Sequence, residues 1–297
     1  GKMAGRSLPS KCGAGMTKMK GIIMSLFTID QKKCKRDGIC AAECPAQIIV
    51  QADKKSFPSL MEDGEEFCIN CGHCVTVCPY GALTLSTMPL AACPPISKEL
   101  LPDADMVKKF LQARRSIRQY KDKVVSRKLL AELIDIARYA HTASNAQEVH
   151  WTVFRNPEDV RKLAGLVVDF TKMILPVMTD VERAKRMQRL VDAWANGKDR
   201  VMRGAPHLIV VHSPADQPFP TTDCAIALTY LELYAFSKGL GTCWAGYFTL
   251  AAVMHEPLMK ALDLPTGHKC YGAVMLGYPK FRYHRIPMRN EPLITWR

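Results

Sequence analysis

The sequence has no apolar run approaching 18 residues, so no transmembrane helix is expected. It has no G-x-G-x-x-G after a strand, which argues against a Rossmann-type dinucleotide site. It carries a formal charge of +13, yet no helix-turn-helix, zinc-finger or RNA-binding signature goes with it. Nucleic acid is therefore not the expected partner, and neither is a membrane. Residues 1–23 hold Lys2, Arg6, Lys11, Lys18 and Lys20 but no acid. That stretch reads as an N-terminal arm or a cloning scar in preference to an organellar presequence, and its apolar part is too short for a secretory signal. The rest is ordinary soluble composition, 48% hydrophobic and 23% charged over 297 residues, enough for one large domain and one small one.

What is abundant is cysteine, and it is patterned. Cys34, Asp37, Cys40, Cys44 and Pro45 recur 34 residues later as Cys68, Cys71, Cys74, Cys78 and Pro79. The second copy reads C-x2-C-x2-C-x3-C-P, the ligand run of a cubane iron–sulfur cluster in bacterial two-cluster ferredoxins. Three thiolates on one short loop reach three corners of one cluster, and the fourth cysteine, turned away by the proline, ligates the other. One cluster is thus expected on Cys68, Cys71, Cys74 and Cys44, and its partner on Cys34, Cys40 and Cys78 with Asp37. A zinc ribbon needs only the paired C-x2-C elements and leaves the third and fourth cysteines and the proline unexplained. Disulfides suit this crowding still less. The other five cysteines, Cys12, Cys93, Cys224, Cys243 and Cys270, are scattered and expected to be reduced. A low-potential cluster pair points to a cytoplasmic, reducing and oxygen-poor setting.

Asp37 departs from the repeat. Gly38 and Gly72 keep the offset, so Asp37 truly occupies the position of Cys71. A carboxylate is a harder iron ligand than thiolate. The first cluster is accordingly a [4Fe-4S] cluster with an Asp or water ligand, a [3Fe-4S] cluster lacking that corner and capped by Asp37, or a cubane completed by Cys12 or Cys93.

The coarse pattern divides the chain into a cluster module (24–88), a proline-rich linker (89–102) and a larger domain (103–297). Within the module, Leu26 to Ile29, Ile48 to Gln51 and Ala82 to Leu85 read as short strands. The linker carries Pro89, Pro94, Pro95 and Pro102. Beyond it, helical periodicity covers Asp103 to Ala113, and Ser126 caps a second helix with Leu129, Leu130, Leu133, Ile134 and Ala137 on its apolar face. His150 to Phe154 alternates like a strand, and Asn156-Pro157-Glu158-Asp159 opens a helix running to about Ile174. A basic helix spans Val181 to Val191. Leu208 to His212 suits a buried strand, Thr222 to Lys238 a buried helix ending at Gly239, and Thr242 to Phe248 and Cys270 to Leu276 further strands. The expected fold class is α+β: a ferredoxin-like module followed by a layered domain of helices and strands.

Arg114-Arg115-Ser116-Ile117-Arg118 is dense in guanidinium groups and includes a hydroxyl, which suits a phosphate. A basic run after a helix is also favourable to the helix dipole in its own right. Four segments, in order, resemble the nitroreductase family of FMN enzymes. Arg114 to Tyr120 resembles its R-x-S-x-R phosphate motif. Ala143-Ser144-Asn145-Ala146-Gln147, then His150-Trp151, resembles its A-x-N-x-Q segment. Gly239 to Gly246 is similar to its G-L-G-x-x-W-x-G strand, and Leu276-Gly277-Tyr278-Pro279 with Arg285-Ile286-Pro287-Met288-Arg289 to its closing segment. Glu148 stands where many members have proline, and His150-Trp151 is displaced from the usual P-W pair.

The resemblance implies a nitroreductase-like domain, FMN at the interface of a homodimer, and NAD(P)H as the family's usual donor. It implies that Arg114, Ser116, Arg118 and Arg289 hold the phosphate, with Arg115 and Arg285 beside them. Asn145 and Gln147 would bond the cofactor, and the amides of Ala245 and Gly246 would approach its reactive nitrogen. No catalytic side chain stands out. The fused clusters suggest a second supply, a low-potential donor such as ferredoxin, feeding FMN one electron at a time for reduction of an electron-poor nitroaromatic or quinone. The basic helix, with Arg183, Lys185, Arg186 and Arg189, falls where family members often carry a substrate lid, which favours an anionic compound or an acidic electron donor.

Overall fold

A computed structural model describes residues 25–297, so Cys12 and the basic arm lie outside the described residues. The chain divides into two compact units, Gly1–Ile96 and Ser97–Arg297.

In the first unit, β1 (Phe27–Ile29) pairs antiparallel with β4 (Leu83–Leu85), and β2 (Ile49–Val50) with β3 (Ser59–Leu60). One-turn helices α1 (Ile39–Ala42) and α2 (His73–Thr76) stand 34 residues apart, so the repeat seen in the cysteines is also a repeat of structure. Each helix opens on a left-handed glycine, Gly38 at φ 75° and Gly72 at φ 74°. A side chain there costs roughly 1–2 kcal/mol, which is why the glycine stays in both copies while its neighbour changes from Asp37 to Cys71. The apolar core is small: Ile48, Ile49, Val75, Leu83 and Leu85 carry most of it. A unit of this size ordinarily needs staples such as bound metal. Leu90 and Cys93 pack against that core, so the proline-rich passage begins pinned to the unit.

The second unit contains α3 (Ala104–Ala113), α4 (Arg127–Ala137), β5 (His150–Phe154), α5 (Pro157–Ile174), α6 (Val181–Ala195), β6 (His207–Pro214), α7 (Pro220–Ser237), β7 (Gly241–Trp244), α8 (Gly246–Met254), α9 (Glu256–Leu262) and β8 (His268–Gly277). The strands form one antiparallel sheet in the order β5-β6-β8-β7. Its helices start where their caps lie. Asp103, Ser126 and Asn156 accept hydrogen bonds from Met106 N (2.8 Å), Leu129 N (3.2 Å) and Glu158 N (3.0 Å).

Strand alternation separates two cores. Leu208, Val210, Ala273 and Met275 face α5, α6 and α8, whereas Ile209, Val211, Val274 and Leu276 face α4 and α7. The result is three layers, helix on sheet on helix. The expectation of a strand from Thr242 to Phe248 is corrected here. β7 ends at Trp244, Ala245 N makes the last bond toward β8 at Ala273 O (2.9 Å), and Thr249 N already bonds Ala245 O as α8 begins.

Three histidines meet at one end of this sheet. His212 Nδ1 lies 3.0 Å from His268 Nδ1, and the His150 ring centroid is 4.8 Å from that of His268 and 5.6 Å from that of His212. Glu148 bonds His150 at 2.9 Å, and Glu148 and Asp216 together oppose the mutual repulsion at His268. Burial first, then His268 and His150, push His212 down to about 4, and His268 is lowered too. The unfolded chain therefore takes up these protons first. Stability is full above about pH 6.5 and falls as pH drops toward 4. Urea titrations at pH 7 and pH 5 should differ by about 2 kcal/mol, and His212→Gln should flatten that difference.

Candidate active site and cluster sites

The first unit contains two pockets lined by the two sets of four residues that the interleaving rule groups together. One is lined by Cys44, Cys68, Cys71 and Cys74. The other is lined by Cys34, Asp37, Cys40 and Cys78. Cys93 lines neither and stays on the core surface, its thiol 3.8 Å from Pro89 O. The described cysteines form no disulfide. Among the described residues, no three His, Cys, Asp or Glu side chains are placed to hold a single metal ion. Burial, then Cys68, Cys71 and Cys44, push the Cys74 thiol up to about 11, and burial raises Cys40 with Cys34 and Cys78 adding to it. Only a strong cation makes such a crowd of thiolates favourable. Asp37 does two things: its Oδ1 accepts from Ile39 N at 3.3 Å in the turn that leads into α1, and it also lines the pocket.

In the second unit a basic pocket of about 1030 Å³ opens at the end of β7 and the start of α8. Arg118, Cys243, Trp244, Ala245 and Gly246 line it, together with Arg183 and Arg186 of α6 and the turn holding Arg200 and Arg203. The segment 114–118 runs beside β7, with Ile117 N bonded to Thr242 O at 2.8 Å. The closing segment runs beside the same stretch: Lys121 N bonds Tyr278 O (2.8 Å) and Lys280 N bonds Gln119 O (2.9 Å). Three of the four segments thus adjoin one another. Arg115 Nε is shielded from solvent without a hydrogen-bond partner, as a site prepared for an anion would leave it, whereas Arg114 Nη1, also without a hydrogen bond, already faces a carboxylate. The structure does not bring Arg285 and Arg289 into the pocket lining; both sit in the exposed stretch 280–297. Arg114, Arg115 and Ser116 are not among the pocket's lining residues either.

Ala143 to Gln147 also stays outside this pocket. Ser144, Asn145 and Gln147 all have left-handed backbones, φ 50°, 54° and 54°. Strain of this kind needs fixing from outside. Asp223 of α7 supplies it, accepting from Ala143 N at 3.1 Å, and Gln147 N bonds Thr142 Oγ1 at 2.9 Å. A second buried acid, Glu232, accepts from Thr242 Oγ1 (2.8 Å) and Trp244 Nε1 (2.7 Å) and faces Arg114 Nη1 at 3.7 Å. Neither acid figures among the sequence candidates. The signal is present, since Asp223 and Glu232 are the only charged residues in an otherwise apolar and hydroxyl-bearing α7. A charge buried in such a helix is paired with something.

An antiparallel sheet between helical layers, a basic pocket at a strand-to-helix junction, and two cysteine pockets together define an oxidoreductase with iron–sulfur centres. A sequence model of the nitroreductase family matches residues 111–278, and a model of the 4Fe-4S dicluster domain matches residues 32–83. The chain belongs to the nitroreductase family, with a dicluster domain preceding the family domain. Among its relatives, an FMN reductase [NAD(P)H] of Bacillus subtilis is 28% identical over 198 residues, 63% of this chain and 71% of that one. An NADH dehydrogenase of Thermus thermophilus is 26% identical over 196 residues, 62% and 92% of the two chains. Among solved structures, a nitroreductase with bound FMN from Desulfitobacterium hafniense aligns with a TM-score of 0.51 at 26% identity, covering 62% of this chain and 93% of that one. Among the described residues no helix is long and apolar enough to cross a membrane.

Proposed function

We propose that this chain is an FMN-dependent reductase of electron-poor small molecules, such as nitroaromatics or quinones, fed through its own two iron–sulfur clusters. The observation that carries the reading is the pair of four-ligand pockets in the same polypeptide as the basic pocket of a nitroreductase domain. When bound, the clusters supply electrons singly and the flavin collects two and releases them as a pair.

Cys44, Cys68, Cys71 and Cys74 would hold one cluster, and Cys34, Cys40 and Cys78 the other, with Asp37 as fourth ligand or cap. Arg114, Ser116 and Arg118 would hold the FMN phosphate with Arg115 beside them, and the unpartnered Nε of Arg115 supports that role. Arg285 and Arg289 would join them as the closing segment settles. The amide of Gly246, first in α8, has no partner one turn back within the helix and would donate to the flavin's reactive edge, whereas that of Ala245, expected beside it, is already bonded to Ala273 O at 2.9 Å. Asn145 and Gln147 would serve from a second copy of the chain, which fits their place outside this pocket. A homodimer is further supported by exposed apolar side chains in the last stretch, among them Tyr283, Met288, Leu293 and Trp296. A low-potential cluster pair suits a reducing, oxygen-poor cytoplasm.

A second reading, reduction by NAD(P)H with the clusters as accessories, is favoured by the names of the relatives. Anaerobic absorbance titration with photoreduced ferredoxin or NAD(P)H separates the two. Bleaching of the flavin by ferredoxin is expected to be fast and to slow at least tenfold in the Cys68→Ser/Cys71→Ser variant. Fast bleaching by NAD(P)H that survives those replacements would sink the cluster-fed route.

A further inference from the structure

The pocket lining contains five arginines and no acid. One FMN phosphate does not need them all, because the reading above gives it Arg114 and Ser116 as well as Arg118. The remainder, Arg183, Arg186, Arg200 and Arg203, make no ion pair among the described residues. Nor are they left over by chance, since acids close to them in the sequence are engaged elsewhere. On α6, Glu182 pairs with Lys185 (2.9 Å) and Asp192 accepts from Gln188 (2.7 Å), which leaves Arg183 and Arg186, one turn apart, on the pocket side. In the following turn Asp199 accepts from the amides of Val201 and Met202 (both 2.9 Å) and Gly204 (3.1 Å). Its carboxylate is held by the backbone and makes no ion pair with Arg200 or Arg203. That turn holds Arg203 at φ 58°, a left-handed conformation unfavourable for a side chain of this size. Facing these groups are Trp244, its ring fixed through Nε1 on Glu232, and Tyr247, both partly exposed.

We infer that the molecule reduced at this site is a planar anion, an aromatic ring bearing a carboxylate or similarly charged group. Its charge is received by Arg183, Arg186, Arg200 and Arg203, and its ring lies against the aromatic wall. The inference rests on the reading above and narrows its substrate class. Guanidinium forks bind carboxylates bidentately, and in a partly enclosed cleft they attract an anion far more strongly than in open water.

The test uses the full chain loaded with FMN and clusters, photoreduced anaerobically so that no donor need bind, then mixed with 4-nitrobenzoate or with neutral 4-nitrobenzyl alcohol of similar size. Half-saturation for the benzoate is expected at least tenfold below that for the alcohol, with the gap shrinking as salt rises. In Arg183→Ala/Arg186→Ala the benzoate should weaken at least tenfold and the alcohol less than threefold. Arg183→Lys/Arg186→Lys should recover much of the loss, which a merely structural defect would not allow. Arg200→Ala should reproduce the selectivity change. Equal losses for both acceptors would overturn the inference. So would loss of FMN from the alanine variant, which assigns the arginines to the cofactor, or a defect seen only with NADPH or ferredoxin, which assigns them to the donor. If neither acceptor reoxidises the flavin of the unaltered protein, the reductase reading itself fails.

Discussion

Replacing Glu232 with leucine should lower the unfolding free energy by about 3–5 kcal/mol and leave the protein largely without FMN. The carboxylate is buried and serves three cations or donors at once: the hydroxyl of Thr242, the indole of Trp244 and the guanidinium of Arg114. Removing one member of a buried charged set leaves the others desolvated and unpaired, which costs far more than the pair was worth. Leucine fills the volume, so the loss reports the polar network and not a cavity. Glu232→Gln keeps one acceptor oxygen and should lose less than half as much. The urea midpoint and the flavin absorbance of the purified protein read both effects. A leucine variant within about 1 kcal/mol of the unaltered protein and carrying full FMN would show that the network is incidental.

Gly241→Val should be nearly as damaging. A Cβ built at Gly241 would meet the Ile117 Cβ at 2.7 Å and Cγ2 at 2.9 Å, closer than real carbons approach. Ile117 cannot simply swing aside, since its amide is tied to Thr242 O. The side chain must therefore push the whole 114–118 segment off β7. Overpacking of this kind costs about 1–3 kcal/mol. The larger effect is expected in the arginines of that segment proposed to hold the phosphate, read as at least a tenfold weaker FMN affinity by fluorescence titration. Gly241→Ala should fall between. Unchanged affinity in the valine variant would mean the segment has room to move.

Most of the elements are legible because their signals are local. Asp103, Ser126 and Asn156 announce helices within four residues of themselves, and the cysteine repeat fixes which residues share a pocket without any knowledge of the path between them. The junction after Trp244 is not legible: Thr242 to Phe248 is an apolar run that suits strand or helix equally, and what decides it is the pairing of Ala245 with Ala273, nearly thirty residues away. Asp223 and Glu232 escape for the same reason. Their partners lie 80, 10 and 118 residues distant, so no short window of sequence shows what these acids hold. The second glycine of the G-L-G-x-x-W-x-G segment reads as part of a cofactor-facing strand, whereas its immediate structural cause is the approach of Ile117.

The two acids of α7 are nine residues apart, two and a half helical turns, so they point from opposite sides of the rod and stand ~13.5 Å apart along its axis. One grips the strained loop at Ala143 and the other grips β7 and Arg114. The spacing between those two parts of the molecule is consequently a property of helix pitch, the stiffest measure a polypeptide has, and not of the long stretch of chain from 148 to 222 between them. Insertions or deletions in the α5–α6 region could enlarge or shrink the basic cleft, and so change what it admits, while the separation that α7 enforces stays as it is. The fold thereby keeps its specificity adjustable and its cofactor geometry constant.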